Sequence, residues 1–451
     1  MAEVFTNVDF IAEGLQYPPL HSTSRLSAYE LNKKRYAGKY NENKFIVVRS
    51  KVTGENIKYP VVTENFFKLT TEKMCSLLLS QLPLVTCGDE ETTSVLQGII
   101  KDSGFWLQLQ NVYRSFSSLG DGVLYLYVDD EGEIKTNVVS PSCWYSVVNP
   151  FNIDEVTCHV LVNEIFENDY KTTTPSRRTH LRVLYHYKGY YIEKIYNADD
   201  YKVKDLVSEK KYNTGLSDFA VFTCHNAKSL GELYGQSDYE SIADAVRLYE
   251  SAYSLIHAVL EHSGSPLLQV PKGVGKQNSK TGRVEFSQFG GFVEVPADAK
   301  DIKYVGLDAP LTETLAFIDN LLSEIGIQSE LSKAFLCGDF GNTNASAEAL
   351  KTLLKSALDK SSRIVDSLDT MVKRVFVQML FLKGISIKPS EINIEWQDGL
   401  VDSESVIATT QKTLREAGVL SRKRALMKYS GMTAEQADSE LLQIENEEKE
   451  V

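Results

Sequence analysis

The sequence predicts an α+β protein, mixed in its first half and long-helical in its second, and three observations carry that prediction. Helical spacing and strand alternation interleave from Met1 to about Gly235. Two long helical patterns, starting at Tyr239 and at Leu311, then flank a short β-rich excursion. Between the second of these and a third long pattern lies Leu336-Cys-Gly-Asp-Phe-Gly-Asn-Thr-Asn-Ala-Ser346, a glycine and asparagine loop. At 451 residues, 43% hydrophobic and 24% charged, the chain has an ordinary globular composition and the length of about three domains.

Taken in order, 64–81 and 91–111 carry helical spacing. Gly122-Val-Leu-Tyr-Leu-Tyr-Val128 alternates as a strand, closed by a turn at Asp129, Asp130, Glu131 and Gly132. Alternation returns at 156–165 and 181–196, where Lys188-Gly189 reads as a hairpin turn. From Tyr239 the residues Tyr239, Ile242, Val246, Tyr249, Tyr253, Ile256 and Leu260 stand three and four apart, a heptad seam. Ala245, Leu248, Ala252, Leu255 and Val259 form a second stripe roughly 100° away on the same helix. The remaining face carries Glu240, Asp244, Arg247, Glu250, Ser254, His257 and Glu261. Two apolar stripes and one acidic face fit a helix in a ring of helices, and equally one wedged in a monomeric bundle.

Gly264 and Pro266 stop that helix. Short strands follow at 267–270 and 283–289 around a polar loop, then at 292–295. From Leu311 one stripe runs Leu311, Leu315, Ile318, Leu322, Ile325, and a small polar one runs Thr312, Ala316, Asp319, Ser323, Gly326, Glu330, Lys333. Both helices are expected to reach about 26 residues, about 39 Å. Past the Gly/Asn loop, Asn344 or Ser346 is placed to cap a third helix, with Glu348 in its first turn. Its seam is Leu350, Leu354, Ala357, Ser361, Ile364, Leu368, Met371 and Val375, ending near Gly384. A strand is expected at 385–396, then helices at 402–417 and 421–430 stopped by Gly418 and Gly431. Thr433 with Gln436 forms a capping box for a last helix whose acidic end is expected to fray.

Several function classes are disfavoured. The formal charge of −13 argues against sequence-specific DNA binding, which uses a basic face to neutralise phosphates. The longest apolar stretch, 375–382, is broken by Gln378 and falls far short of the roughly 20 residues of a membrane span. No basic region followed by an apolar core opens the chain, so a cytoplasmic location is expected. Cys75, Cys87, Cys143, Cys158, Cys224 and Cys337 are widely spaced and read as buried thiols. Gly275-Lys276 fails as a P-loop, with Val270 where the first glycine belongs and Gln277 in place of Ser or Thr. His257, Glu261 and His262 read as surface residues of one helix, and Asp129/Asp130 and Glu90/Glu91 as solvated turns. Arg422-Lys-Arg424 with Lys428 reads as a solvated helix face. No catalytic residue, metal site or cofactor is predicted.

Charge is unevenly placed. Five acidic residues stand against one basic between Asp238 and His262, and four against one between Leu311 and Leu336. The long pattern from Ser346 to Lys383 reverses this, with seven basic residues and four acidic.

The order of parts, Tyr234-Gly-Gln-Ser-Asp238 opening a long helix, a β excursion, a second long helix, the Gly/Asn loop and Asn344-Ala-Ser-Ala-Glu-Ala-Leu-Lys351, resembles the portal proteins of tailed double-stranded DNA bacteriophages, of the long non-contractile-tailed type. Ala417-Gly-Val-Leu-Ser421 and residues 432–448 are similar to that family's ending. The resemblance runs from about Ser27 onward, and the order of the motifs is more specific than any one of them. It implies a portal architecture with a mixed α/β wing (1–235), stem helices (236–263 and 309–335), a small β-rich clip (264–308), a tunnel loop (336–346), a long wing helix and wing strand (347–400) and a short helical crown (401–451). It further implies a ring of twelve copies at a capsid vertex, assembled in the host cytoplasm and retained in the virion. Double-stranded DNA would pass through without sequence specificity. The terminase large subunit and head-tail connector would dock at the clip, and the major capsid and scaffolding proteins at the wing.

Under that resemblance Glu240, Asp244, Glu261, Asp319 and Glu330 would line the channel and repel phosphate. Gly338, Phe340, Gly341, Asn342 and Asn344 would face DNA, flanked by Lys333 and Lys351. No basic residue stands between Cys337 and Ala345, so lining and steric sealing by Phe340 is expected rather than a grip on phosphate. Two other readings share parts of the pattern: a non-catalytic helical adaptor of a host complex, and an enzyme of the packaging apparatus, which lacks a P-loop and clustered metal-binding acids.

Overall fold

The computed structural model describes residues 3–40, 45–49, 56–167, 177–199, 201–263, 267–271, 276–277, 284–285, 292–296, 303–305, 311–338, 351–397, 404–430, 432 and 434–450. It has two compact units where length suggests about three: residues 1–37, 67–240 and 329–451, and residues 38–66 and 241–328. Numbered along the chain, the helices begin with α1 (Thr23–Tyr36), α2 (Phe66–Leu79), α3 (Glu90–Asp102) and α4 (Phe105–Leu119). The strands begin with β1 (Phe45–Arg49) and β2 (Asn56–Pro60), which pair with each other in the second unit.

In the first unit the helix expected over 91–111 is two helices. Gly104 adopts a left-handed φ of 61° between them, a conformation glycine takes without cost. The break turns Phe105, Leu109, Val112 and Phe116 inward, each fully buried. Glu90 and Glu91, read as a solvated turn, occupy the first turn of α3, where the helix dipole favours acids and Asp89 caps Thr92 N at 2.7 Å.

The strands are β3 (Leu84–Thr86), β4 (Asp121–Val128), β5 (Ile134–Val138), β6 (Trp144–Asn149), β7 (Asn152–Glu167), β8 (Arg177–Tyr187), β9 (Tyr190–Ala198), β10 (Val203–Asn213) and β11 (Val221–His225). They build an antiparallel sheet of order β10-β9-β8-β7-β6 and a smaller one of order β11-β4-β5. The turn after β4 forms as the sequence predicts, with Asp129 Oδ1 accepting from Glu131 N and Glu133 N and Gly132 at φ 84°. Lys188-Gly189 is the β8–β9 turn. Val123, Trp144, Val148, Leu161, Leu184, Val221 and Leu233 pack together in one core. A second core joins Phe5, Ile11 and Tyr17 of the N-terminal segment to Tyr145, Val160, Val162 and Val183.

His159 and His186 are register partners across β7 and β8 and both are buried. Trp144 Nε1 donates to His159 Nδ1 at 3.1 Å, while the His186 ring lies 5.2 Å from Tyr125 and 5.1 Å from Tyr191. Both His186 ring nitrogens are without a hydrogen-bond partner among the described residues. Burial lowers the two imidazoles to about 3 and about 4. Both are therefore neutral in the fold, while the unfolded chain takes up protons near pH 6.5. Their contribution is whole above that pH and is lost as pH falls toward 4. Each unit of depression is worth about 1.4 kcal/mol, so denaturation midpoints should fall steeply between pH 6.5 and 4. His186→Phe is expected to flatten that fall, and an unchanged slope would refute the assignment.

α5 (Asp238–Ser263), which lies in the second unit from Ser241 on, carries the first seam inward at Ile242, Val246, Tyr249 and Ile256. Leu248 and Leu255 of the second stripe are exposed, as are Tyr253 and Leu260. Glu250 and Ser254, expected on the solvated face, are buried. A strap from 38–66 covers them: Tyr40 hydroxyl donates to Glu250, Val62 N donates to Ser254 Oγ at 2.9 Å, and Tyr249 hydroxyl donates to Glu64 at 3.2 Å. Desolvation raises the Glu250 carboxyl above its ordinary pKa. Next come β12 (Leu267–Pro271), β13 (Lys276–Gln277), β14 (Val284–Glu285), β15 (Phe292–Val295) and β16 (Lys303–Val305). The order β15-β12-β16 pairs β12 parallel to β15 and antiparallel to β16. β13 lies in the expected polar loop, and of the strand expected at 283–289 only β14 falls within the described residues as strand.

α6 (Leu311–Gln328) has 18 residues, not about 26. Helical geometry stops at Ser329 and resumes only in α7 (Lys333–Cys337). The third long helix, α8 (Lys355–Leu382), buries Leu354, Ala357, Ser361, Ile364, Leu368, Met371 and Val375 as its spacing predicts. Residues 351–353 are helical too, and Leu354 caps the long segment; Asn344, Ser346, Glu348 and Leu350, where the helix is expected to start, lie outside the described residues. The strand expected at 385–396 shrinks to β17 (Asn393–Glu395), paired with β3, because Pro389 opens a 3-10 turn just before it.

The tail forms α9 (Glu404–Glu416), α10 (Arg422–Ser430) and α11 (Ala434–Glu450), with Gly418 at φ 67° after the first. Gly431 and Thr433 lie outside the described residues, and α11 runs on to Glu450 where fraying was expected. Lys423 pairs with Glu90 and Asp438, and Arg424 with Glu395, so this basic run bridges elements instead of merely facing solvent. Of the cysteines, Cys75, Cys158 and Cys224 are buried, Cys87 and Cys143 half-buried and Cys337 exposed, which corrects the expectation of six buried thiols. Among the described residues no helix is long and apolar enough to cross a membrane.

Candidate functional site

Two sets of residues were singled out by the sequence, a row of acids and a Gly/Asn loop. Glu240 and Asp244 lie on the surface of the first turns of α5, and Asp244 meets Arg247 at 3.4 Å. Partial desolvation raises the Glu240 carboxyl from its usual pKa. Asp319 is exposed on α6, and the side chain of Glu261 lies outside the described residues. Glu330 is exposed but is not a bare acid, since Arg363 of α8 pairs with it.

Between α6 and α7 the backbone takes a left-handed conformation twice, at Glu330 (φ 61°) and Ser332 (φ 63°). Such non-glycine residues cost about 1–3 kcal/mol each and persist where surroundings fix them. Leu331 between them is fully buried. Ser332 Oγ accepts from Phe335 N at 3.4 Å and donates to Leu353 O at 3.3 Å. Lys360 Nζ donates to Ser329 O at 3.1 Å. These contacts seat the stretch from Ser329 to Gly338 against the start of α8. Lys333 is half-buried, Lys351 exposed, and Gly338 closes α7 at φ 70°. Lys73 Nζ stands 5.9 Å above the Phe335 ring. Phe340, Gly341, Asn342 and Asn344 lie outside the described residues.

The root of this site is a buried polar network that sequence reading missed. Lys360 also pairs with Asp238 at 3.0 Å, their side chains 8% and 10% exposed. Asp238, in the first turn of α5, further accepts from Ser117 Oγ at 2.6 Å and Asn226 Nδ2 at 3.1 Å. Thr71 Oγ1 bonds both Ser117 Oγ and the Tyr239 hydroxyl, at 3.0 and 2.9 Å. A signal existed: Lys360 falls among Ala357, Ser361 and Ile364 in the buried stripe of α8, where a lysine requires a partner.

Tyr234 and Gly235 are fixed from the other side. Gly235 N donates to Asp121 Oδ1 at 3.0 Å, and the fully buried Asp121 also meets Tyr29 hydroxyl and, at 2.6 Å, His225 Nδ1. Arg25 lies 4.0 Å above the Tyr234 ring and holds Glu3 through two 2.8 Å bonds. The Tyr234-to-Asp238 motif is thus the anchor from which α5 starts. Among the described residues no group of three or more His, Cys, Asp or Glu is placed to hold a metal ion.

The family model described as "Phage portal protein, SPP1 Gp6-like" matches residues 19–451. No curated protein matches the chain. Among solved structures, a chain of the "Virion of native gene transfer agent (GTA) particle" is similar at 11% identity and a TM-score of 0.45, covering 92% of this chain and 95% of that one. A chain of the "Neck of native GTA particle computed with C12 symmetry" is similar at 12% identity and a TM-score of 0.39, covering 80% of this chain and 88% of that one.

Proposed function

The chain belongs to the SPP1 Gp6-like family of phage portal proteins, structural rather than catalytic, and from that membership we propose that it is the subunit of a ring of twelve copies at a capsid vertex, the channel for DNA packaging and ejection. The family match over 19–451 carries the reading. The exposed apolar side chains of the two long helices support the ring: Leu248 and Leu255 on α5, and Leu315, Phe317 and Ile327 on α6, are about half exposed or more. A closed ring gives such side chains a second copy to pack on. The terminase large subunit and the head-tail connector dock at residues 264–308. The major capsid and scaffolding proteins meet the wing. The ring assembles in the host cytoplasm and stays in the virion.

In this reading Glu240, Asp244, Glu261, Asp319 and Glu330 make a wall that repels phosphate, so that DNA slides without sticking. Arg363 tempers Glu330 and Arg247 tempers Asp244. The loop with Gly338, Phe340, Gly341, Asn342 and Asn344 lines the narrowest part, with Lys333 and Lys351 at its ends. Replacing Asp244, Glu261 and Asp319 together with lysine is expected to leave rings visible in negative-stain images while packaging by a reconstituted motor slows or stalls. Undiminished packaging by such rings would remove the channel-wall role.

A further inference from the structure

The five-stranded sheet has two outer strands, and they are treated differently. β6 is covered by the N-terminal segment, where Phe5 bridges Val147. The same segment reaches β10 only at its start: Gly14 N donates to Val203 O and Val203 N to Leu15 O, both at 2.9 Å, beside a Gln16–Lys202 bridge. Two register shifts follow, between Val203 and Leu206 and between Leu206 and Ser208. From Ser208 to Asn213 the ladder with β9 is regular. No strand among the described residues pairs with the outer side of that stretch. Residues 209–213 are exposed on both faces. Bulges and edge lysines are the usual guards of an open edge; here bulges guard the first half, and Lys210 and Lys211 stand on the second, a guard that a segment bearing carboxylates would neutralise.

The chemistry of this edge departs from the rest of the chain. Residues 177–213 hold nine basic side chains against five acidic, in a protein of net charge −13. The nearby acids are engaged from within the sheet, Glu209 by Lys194 at 3.4 Å and Glu193 by Arg182 and, at 3.3 Å, by Tyr212 hydroxyl. Lys210 and Lys211 stand on the edge itself, the latter 3.9 Å above the Tyr190 ring, and Tyr212 stacks on Tyr191 at 5.0 Å. We propose that Ser208–Asn213 takes up an extended, carboxylate-bearing segment of a partner protein by strand addition. The outward N–H and C=O groups of a regular edge match a polypeptide backbone, and the lysines match its acids. A duplex presents phosphate to the lysines but offers the backbone nothing that repeats at strand spacing, so the edge favours a peptide over DNA.

A short synthetic peptide of alternating glutamate and valine, labelled for fluorescence polarisation, is the probe. It is expected to bind the full-length chain and to slow amide exchange at 208–213. The double variant Lys210→Glu/Lys211→Glu, altered only at exposed positions, should lose about tenfold in affinity or more with its circular dichroism unchanged. Three results overturn the proposal. A proline-interrupted version of the peptide, or a duplex DNA fragment, binding as tightly would reduce the edge to a charge effect. Absence of peptide binding would remove the site. Amide exchange at 208–213 already slow in assembled rings without peptide would make another copy the occupant.

Discussion

Gly235→Ala is expected to unfold the first compact unit. A Cβ at position 235 would lie 2.6 Å from the carbonyl oxygen of Asn226, 2.7 Å from its nitrogen and closer still to the carbonyl oxygen of Gly120. All three are backbone atoms, so no side chain can turn away. From the other side, a Cβ at Gly120 would meet Gly235 C at 2.6 Å and Gln236 C at 2.9 Å, on a backbone whose φ is 93°. The two glycines are held together by Asn226 N donating to Gly120 O and Gln236 N donating to Asn226 O, both at 2.8 Å, and by Gly235 N on Asp121. Moving the segments apart breaks these bonds and pulls Asp238 from Lys360. The expected loss exceeds about 4 kcal/mol, against the roughly 5–15 kcal/mol that holds a typical domain folded. Gly98 in α3 is the matched control: its Cβ would meet nothing within 4 Å, so Gly98→Ala should gain up to about 1 kcal/mol. Urea denaturation followed by circular dichroism measures both. A Gly235→Ala protein within about 1 kcal/mol of the parent would show that the two backbones can separate cheaply.

Much of the helical framework was legible because it rests on local periodicity. The seam of α8 is buried at every described position that its spacing names, since a long amphipathic stripe has one way to avoid water. Strand alternation placed β4, the Lys188-Gly189 turn and its flanking strands for the same reason. The failures share a different cause. Glu250 and Ser254 fit a solvated face in α5, yet Tyr40 and Val62, about 200 positions upstream, cover them; no helical wheel contains that partner. α6 continues in helical phase through Glu330 and Lys333, and what stops it is the fixing of Ser329 O by Lys360 and of Leu331 in the core. Tertiary contacts overrode a valid local preference in both places.

The candidate site was legible to a lesser degree. Acidic positions can be counted in a sequence, but whether an acid stays available depends on its neighbours, and Arg363 shows this at Glu330. The Tyr234-to-Asp238 motif stands out in the sequence as a pattern, without its reason. That reason is geometric: a glycine that meets another backbone, and an aspartate whose partners come from α4, from the segment after β11 and from α8. Only the out-of-place lysine in the α8 seam announced it.

Lys360→Met is the second change expected to have a large effect. Methionine fits the stripe but removes the ammonium group that pairs with the buried Asp238 carboxylate, whose neighbours include Ser117, Asn226 and the N-terminal turn of α5. It also withdraws the donor from Ser329 O, just where the chain leaves α6. Removing one partner of a buried pair costs about 3–5 kcal/mol, because the surviving charge remains desolvated. Removing the charge as well should recover part of that loss, so Lys360→Met/Asp238→Asn is expected to be more stable than Lys360→Met alone. The order of the denaturation midpoints therefore separates a charge effect from lost packing. If the double variant is weaker than the single by the full cost of Asp238→Asn, the two side chains act independently and the pair is not the anchor. If Lys360→Met alone costs less than about 1 kcal/mol, water replaces the ammonium group and the site is less closed than its 8% and 10% exposures imply. A charge effect would also reach the candidate site, because Ser329 and the two left-handed residues after it are held by the same lysine. Amide exchange across 329–338 should then rise in Lys360→Met, while exchange in β7 and β8 of the distant sheet stays as it is.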